Sequence, residues 1–323
     1  MDQQHQAASR TRDQAGRWTA ADMPDQSGRV AVITGANRGI GYEIARVLAA
    51  HSAQVVLACR DTAGAQRAAA GIAASCPRAP AASVVQLDLS SLTSVRDAAE
   101  QIRARYPRLD LLINNAGVME VPYQQTKDGF ELTFAANHLG HFALTGLLLD
   151  FLLATPGSRI VTMSSQAHTY GVMNFADLQA ARGYDRSAAY GQSKLANLLF
   201  TYELDRRLTA AGARTAALAA HPGVVYTALF KHRAWLQRLL ISPAARVINF
   251  RAVQNVKMGA LPALRAATDP AARGGEFYGP HRRRDTGYPV PVTSTAPSHD
   301  AADQARLWQI SEDLTGVSYR ITP

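Results

Sequence analysis

Short apolar runs recur along this chain, separated by segments of helical periodicity. Val30–Thr34, Gln54–Ala58, Val84–Leu87, Leu109–Ile113, Arg159–Met163 and Thr215–Ala219 read as strands. Ile40–Ala50, Ala63–Ala74, Val95–Arg105, Phe130–Leu153 (as one or two helices) and Tyr190–Leu208 read as the helices between them. The strand runs are continuously apolar rather than alternating, which marks strands covered on both faces. Such strands, each followed by a helix, predict an α/β, doubly wound parallel sheet of the Rossmann type. With 47% of its 323 residues apolar, the chain can bury a substantial core. Residues 28–323 are therefore expected to form one domain, after a flexible polar arm at 1–27. Residues 280–300, rich in Pro, Arg and Thr, read as loop, and Ala301–Leu314 as a last helix.

The first strand runs into Gly35-Ala36-Asn37-Arg38-Gly39-Ile40-Gly41 and then a helix. Strand, glycine-rich turn and helix together suit a dinucleotide, because glycines admit the pyrophosphate and the helix N-terminus offers it free N–H groups. The spacing is GxxxGxG rather than GxGxxG. The second strand ends at Cys59-Arg60, where an acidic residue would favour NAD and an arginine favours a 2′-phosphate. Arg60, with Arg38 in the turn, points to NADP(H) over NAD(H). Asp61 follows directly and leaves a mixed preference open.

The formal net charge of +9 fits either an anionic partner or a solubilising basic surface. Apart from Arg206-Arg207 and Arg282-Arg283-Arg284 the cations are scattered, with no recognition helix or aromatic-basic stacking motif, so no nucleic acid is expected. The two cysteines, Cys59 and Cys76, cannot build a disulfide framework. No signal-like segment or membrane-length apolar run is visible, so the protein is expected to be cytoplasmic. His138, His141, His168 and His221 lack metal-ligand spacing and read as structural; no metal is expected.

In this order the residues resemble the short-chain dehydrogenase/reductase family, from about Arg29 to Gly279. The glycine turn is one of the matching motifs. Asp88, in Leu87-Asp88-Leu89-Ser90, matches the acidic residue that meets the adenine amine. Asn115, Ala116 and Gly117 fall in the NNAG motif begun by Asn114. Asn137 and Ser165 match the catalytic asparagine and serine, and Tyr190-Gly191-Gln192-Ser193-Lys194 is YxxxK. Pro222, Gly223 and Thr227 match the segment that meets the nicotinamide amide. NHLGHF at 137–142, the SSQAH segment at 164–168 and the long interval from Ser165 to Tyr190 look like the branch of retinol dehydrogenases, protochlorophyllide reductase and WW-domain oxidoreductase. The resemblance implies a homodimer or homotetramer built on the tyrosine helix.

The residue types suit carbonyl reduction, in which the cofactor supplies a hydride and the protein a proton. Tyr190 and Lys194 lie four apart and share a helix face, so the ammonium is expected to lower the phenol's pKa. Ser165 would stabilise the developing alkoxide, and Asn137 would hold a water linking Lys194 to solvent. Taken singly, Tyr190 could pack, Ser165 cap a turn and Asn137 satisfy a helix kink. Residues 228–261, with Trp235, Leu236, Leu239, Leu240 and Ile241, read as a lid over a lipophilic or aromatic carbonyl and its secondary alcohol. A peripheral membrane helix and plain core packing are the alternatives for that segment. A cofactor-bound regulatory or scaffold protein is the alternative for the whole chain. The residues do not distinguish a light-driven reductase.

Overall fold

The computed structural model describes residues 17–225, 254–282 and 286–321. One sheet organises them, with strand order β3-β2-β1-β4-β5-β6-β7-β8. The strands are β1 (Val30–Thr34), β2 (Gln54–Cys59), β3 (Ser83–Gln86), β4 (Leu111–Asn114), β5 (Arg159–Met163), β6 (Ala216–Ala220), β7 (Phe277–Arg282) and β8 (Thr286–Pro291). All neighbours pair in parallel except β7 with β8. The chain leaves β1 for one edge and returns through β4 for the other, so the strand order reverses between β1 and β4. That reversal opens a crevice at the carboxyl ends of the strands, where doubly wound folds bind ligands.

The helices are α1 (Gly39–Ala50), α2 (Thr62–Ser75), α3 (Leu92–Arg105), α4 (Gly140–Leu147), α5 (Leu149–Leu153), α6 (Arg186–Ala210), α7 (Val256–Thr268) and α8 (Ala301–Thr315). Side-chain caps start several of them: Asp61, Ser91, Asp185, Asn255 and Asp300 each accept a backbone N–H of the first turn. Strand residues Ala31, Ile33, Val55, Leu57, Leu111 and Ile113 form one core with α1, α2 and α7. Val32, Val56, Leu112 and Ile160 form the other with α3, α4 and α6.

Two expectations need correction, the free arm and the loop at 280–300, and two others are met only in part by the described residues. Residues 17–27 are not a free arm: Trp18 and Met23 are buried in the first core, and Asp22 holds Thr19 by its backbone N (2.7 Å) and hydroxyl (2.9 Å). Residues 1–16 lie outside the described residues. The supposed loop at 280–300 holds most of the β7–β8 hairpin and a 3-10 turn, Ala296–His299. Prolines are tolerated in that hairpin because it closes the sheet's edge. Of the expected lid, 228–253 lies outside the described residues and 256–261 begins α7, packed against α1 and the sheet. The segment 130–153, read as one or two helices, divides further: a short turn, Leu132–Phe134, and a π-helical stretch, Ala135–Leu139, precede α4 and α5.

The tyrosine helix is not an exposed surface either. From Gly191 to Leu204, α6 is buried within the chain save for Tyr202, which is half-buried. Its outer face meets α8, where Leu307 packs with Leu195, Leu199 and Phe134. Trp308 lies against Phe200, with the Arg207 guanidinium 4.2 Å from its ring centre.

Candidate active site

The glycine turn is shaped by what it touches. Gly35 and Gly39 have φ of +68° and +61°, the left-handed region that side chains disfavour. A Cβ at Gly35 would sit 2.9 Å from the Cβ of Ala116, and one at Gly41 2.5 Å from Asn115 Nδ2. The turn is thus pressed onto the Asn115–Ala116 strip, while Gly39 faces open space. Here the backbone forms a cradle that side chains would fill, at the N-terminus of α1, as a pyrophosphate requires.

A groove of about 540 Å³ runs from this turn along the carboxyl ends of the strands. It gathers Gly35, Asn37, Arg38, Gly39, Ile40 and Gly41 at one end, with Arg60 and Asp61 beside them. Asp88 and Leu89 form one wall, with Asp88 Oδ1 held by Ser90 (Oγ 2.6 Å, N 3.0 Å). Asn115, Ala116 and Gly117 floor it, and Ser164, Tyr190, Lys194 and Pro222 close the far end. Gly223 follows with φ +67°, and its N–H donates to His221 Nδ1 at 3.2 Å. Thr227 lies outside the described residues. Val225 and Gln254 pair in an isolated parallel bridge, and the Gln254 side chain donates to the Pro222 carbonyl.

A second cavity of about 400 Å³ adjoins the first and shares Asn37, Arg38 and Asp61 with it. Arg67, on α2, also lines it. The sequence reading missed Arg67, although its place on the helix after Arg60-Asp61 was visible. Among the described residues no carboxylate pairs with Arg38, Arg60 or Arg67. Asp61, the nearest acid, is engaged in capping α2 through Gly64 N at 2.8 Å. Three guanidiniums without a carboxylate partner, Arg38 and Arg60 in the groove and Arg67 in the adjoining cavity, fit a phosphorylated nucleotide.

The four predicted catalytic residues converge, with partners the sequence did not show. Ser165 caps the turn that follows β5, its Oγ accepting from Ala167 N at 3.2 Å, and it also hydrogen-bonds the Tyr190 phenol. Lys194 Nζ donates to the Met163 carbonyl at 3.1 Å and lies 5.7 Å from the Tyr190 ring centre. Asn137 grips Val118 through both amide atoms (2.7 and 2.9 Å) and donates to Ser193 Oγ at 2.9 Å. Its side chain therefore locks the strip after Gly117, and the helix widens around it.

Burial dominates the electrostatics of the site. Burial pushes the Tyr190 phenol up to about 12, only partly opposed by the Ser165 hydrogen bond. Burial alone pushes Lys194 down to about 8. The expected depression of Tyr190 by Lys194 is thus absent: the ammonium is turned to the Met163 carbonyl, and desolvation dominates both groups. Burial also holds His138 near 3 and His141 near 4, so both are neutral. Cys59, a buried thiol, is raised to about 11.

A glycine cradle, an NNAG strip and a Ser–Tyr–Lys cluster with a buried lysine, at the switch point of a parallel sheet, define a nucleotide-dependent oxidoreductase. The chain belongs to the short chain dehydrogenase family, which matches residues 29–236. It is 42% identical to mouse (Mus musculus) retinol dehydrogenase 12 over 296 residues, covering 90% of this chain and 88% of that protein. It is 37% identical to human (Homo sapiens) polyprenol dehydrogenase over 299 residues, covering 91% and 87%. A crystal structure of a protein from Mycobacterium paratuberculosis superposes with a TM-score of 0.78 at 43% identity, covering 94% of this chain and 99% of that one.

Proposed function

We propose that this protein is an NADP(H)-dependent oxidoreductase that interconverts a lipophilic carbonyl with its alcohol. The observation that carries the proposal is the single groove that joins the glycine cradle and its unpaired arginines to Tyr190 and Lys194. When bound, the nicotinamide supplies or takes up the hydride. Arg38, Arg60 and Arg67 would hold a 2′-phosphate, and Asp88 the adenine.

The rest of the chemistry belongs to the chain. Tyr190 gives its proton to the carbonyl oxygen as the carbon is reduced, and Ser165 donates a hydrogen bond to that oxygen. With its phenol held near 12, Tyr190 retains its proton until a more basic alkoxide develops. Lys194, 5% exposed, offers a charge that stabilises the phenolate left behind. In the oxidative direction the same groups run in reverse.

The lipophilic class rests on the mouth of the groove. Val118 and Met119 line it. Tyr123, Tyr170 and Val172 are the exposed large apolar side chains among the described residues, and Tyr170 lies on Gly191, beside Tyr190. Retinol and polyprenol, named in two of the relatives, are long isoprenoid alcohols. They extend the proposed class from secondary to primary alcohols and their aldehydes.

Fluorescence titration with NADPH and NADH tests the cofactor. Wild type is expected to prefer NADPH, and Arg60→Ala to lose most of that preference, about 1–3 kcal/mol for a charge-assisted phosphate contact. Equal affinity of wild type for both nucleotides would remove the NADP assignment.

A further inference from the structure

We infer that His141 is a positioning residue: in one neutral tautomer it ties the Asn115–Ala116 strip, through Thr34, to the main-chain carbonyl of Asn137. The inference rests on reading the groove as the cofactor and substrate site.

The hydrogen-bond polarity can be worked out from groups that have no choice. Thr34 Oγ1 lies 2.9 Å from the backbone nitrogen of Asn115 and 2.9 Å from that of Ala116. Both amides only donate, so the hydroxyl oxygen accepts twice and keeps one proton to give. Two acceptors compete for it: the Ile113 carbonyl at 3.4 Å and His141 Nε2 at 2.9 Å. The nearer one takes it. An accepting Nε2 places the ring proton of a neutral imidazole on Nδ1. Nδ1 lies 3.1 Å from the Asn137 carbonyl, which only accepts. Every link in the chain is thereby satisfied in one direction. Burial keeps the ring neutral, and the nearby Lys194 charge acts the same way against the pull of the Asn137 carbonyl.

The position of this chain gives it a role beyond packing. Thr34 clamps the front of the strip, at Asn115 and Ala116. The Asn137 side chain clamps its back, at Val118. Between the clamps lies Gly117, where a Cβ would stand 2.9 Å from Asn137 Oδ1 and 3.6 Å from Lys194 Nζ. His141 joins the two clamps and fixes the cofactor floor against the helix that carries Asn137. Its two nitrogens therefore serve separable ends: Nε2 the nucleotide side, Nδ1 the catalytic side.

That separation supplies the test. An asparagine amide can replace Nδ1–H, and a glutamine oxygen can replace Nε2. His141→Asn should keep the bond to Asn137 and lose Thr34, weakening NADPH binding about fivefold, with the smaller change in kcat. His141→Gln should keep Thr34 and lose the Asn137 carbonyl, lowering kcat on the order of tenfold or more with the smaller change in NADPH Kd. Retinal serves as the carbonyl probe. Nitrogen-15 histidine spectra of the wild type at pH 7, assigned by the signal lost in His141→Asn, should show a neutral ring protonated on Nδ1.

The crossed pattern supports the proposal. Equal losses of Kd and kcat in both variants would overturn it, as would an Nε2–H ring or an imidazolium in the spectra. If neither variant folds, the wild-type His141 ring signal is assigned instead by through-bond correlation to its own backbone resonances, and the tautomer it reports decides. A wild type that binds NADPH but turns over no carbonyl sinks the functional reading instead. The tautomer and the order of the two Kd values then decide the role of His141.

Discussion

Lys194→Met should make the ligand-free protein more stable while abolishing its chemistry. Lys194 is 5% exposed and has no carboxylate partner among the described residues. Burial lowers its pKa from 10.5 to about 8. That gap corresponds to about 3 kcal/mol, at roughly 1.4 kcal/mol per pH unit. The sign follows from proton counting: between pH 8 and 10.5 the unfolded chain binds the proton more readily than the folded one, so wild-type stability rises with pH across that window. Below pH 8 the whole penalty is present. Methionine removes it and fills similar volume. It also loses the bond to the Met163 carbonyl, a loss of about 1–2 kcal/mol, but that carbonyl keeps Asn197 Nδ2 at 3.0 Å. The net gain is about 1–2 kcal/mol at pH 7, or roughly 2–6 °C in Tm for a domain of this size. Thermal melts of the ligand-free wild type and variant at pH 7 and pH 10 measure it. The margin should be present at pH 7 and shrink or reverse at pH 10. A variant that melts at or below wild type at pH 7, or a margin unchanged at pH 10, would refute the account of a desolvated lysine.

Other expectations are more local. Trp18→Ala should destabilise the fold by about 3 kcal/mol, seen as a lower urea midpoint, because this side chain is part of the core. A wild-type midpoint would return residues 17–27 to the status of a free arm. Arg67→Ala should weaken NADPH more than NADH, by about threefold or more in Kd, through one lost phosphate contact. An equal effect on the two nucleotides would remove Arg67 from the phosphate site. Gly41→Ala should impair binding of both nucleotides, since its Cβ would press within 2.6 Å of the Gly35 carbonyl oxygen. Unaltered titration curves would show that the cradle tolerates the methyl group.

The sequence disclosed the central sheet and most of the site because both rest on local patterns. Continuous apolar runs such as Val30–Thr34 and Arg159–Met163 are strands within a residue or two of where they were read. The groove gathers residues whose spacing had grouped them, from Gly35 to Pro222. What escaped depends on tertiary context. The prolines of Pro280 and Pro289 hid a hairpin in which those two residues stand opposite each other. Pro262 and Lys257 obscured α7, whose buried face is mostly alanine and leucine. Trp18 looked like one aromatic in a polar leader until the core formed around it. The direction of the Tyr190 shift could not be read from YxxxK spacing, because it is set by how much water the fold excludes. His141 was read as structural, and only the distances to Thr34 and Asn137 show what it joins.

The most direct test of the proposed activity is NADPH oxidation, followed at saturating nucleotide, against a panel of lipophilic carbonyls that includes retinal. Wild type should turn over at least one of them. Tyr190→Phe, which removes the proton while leaving the ring in place, should bind NADPH normally and lose on the order of 10²–10⁴-fold in kcat. Turnover that survives Tyr190→Phe would contradict the proton-donor role. A wild type that binds NADPH and oxidises it with no carbonyl in the panel would contradict the proposed activity itself.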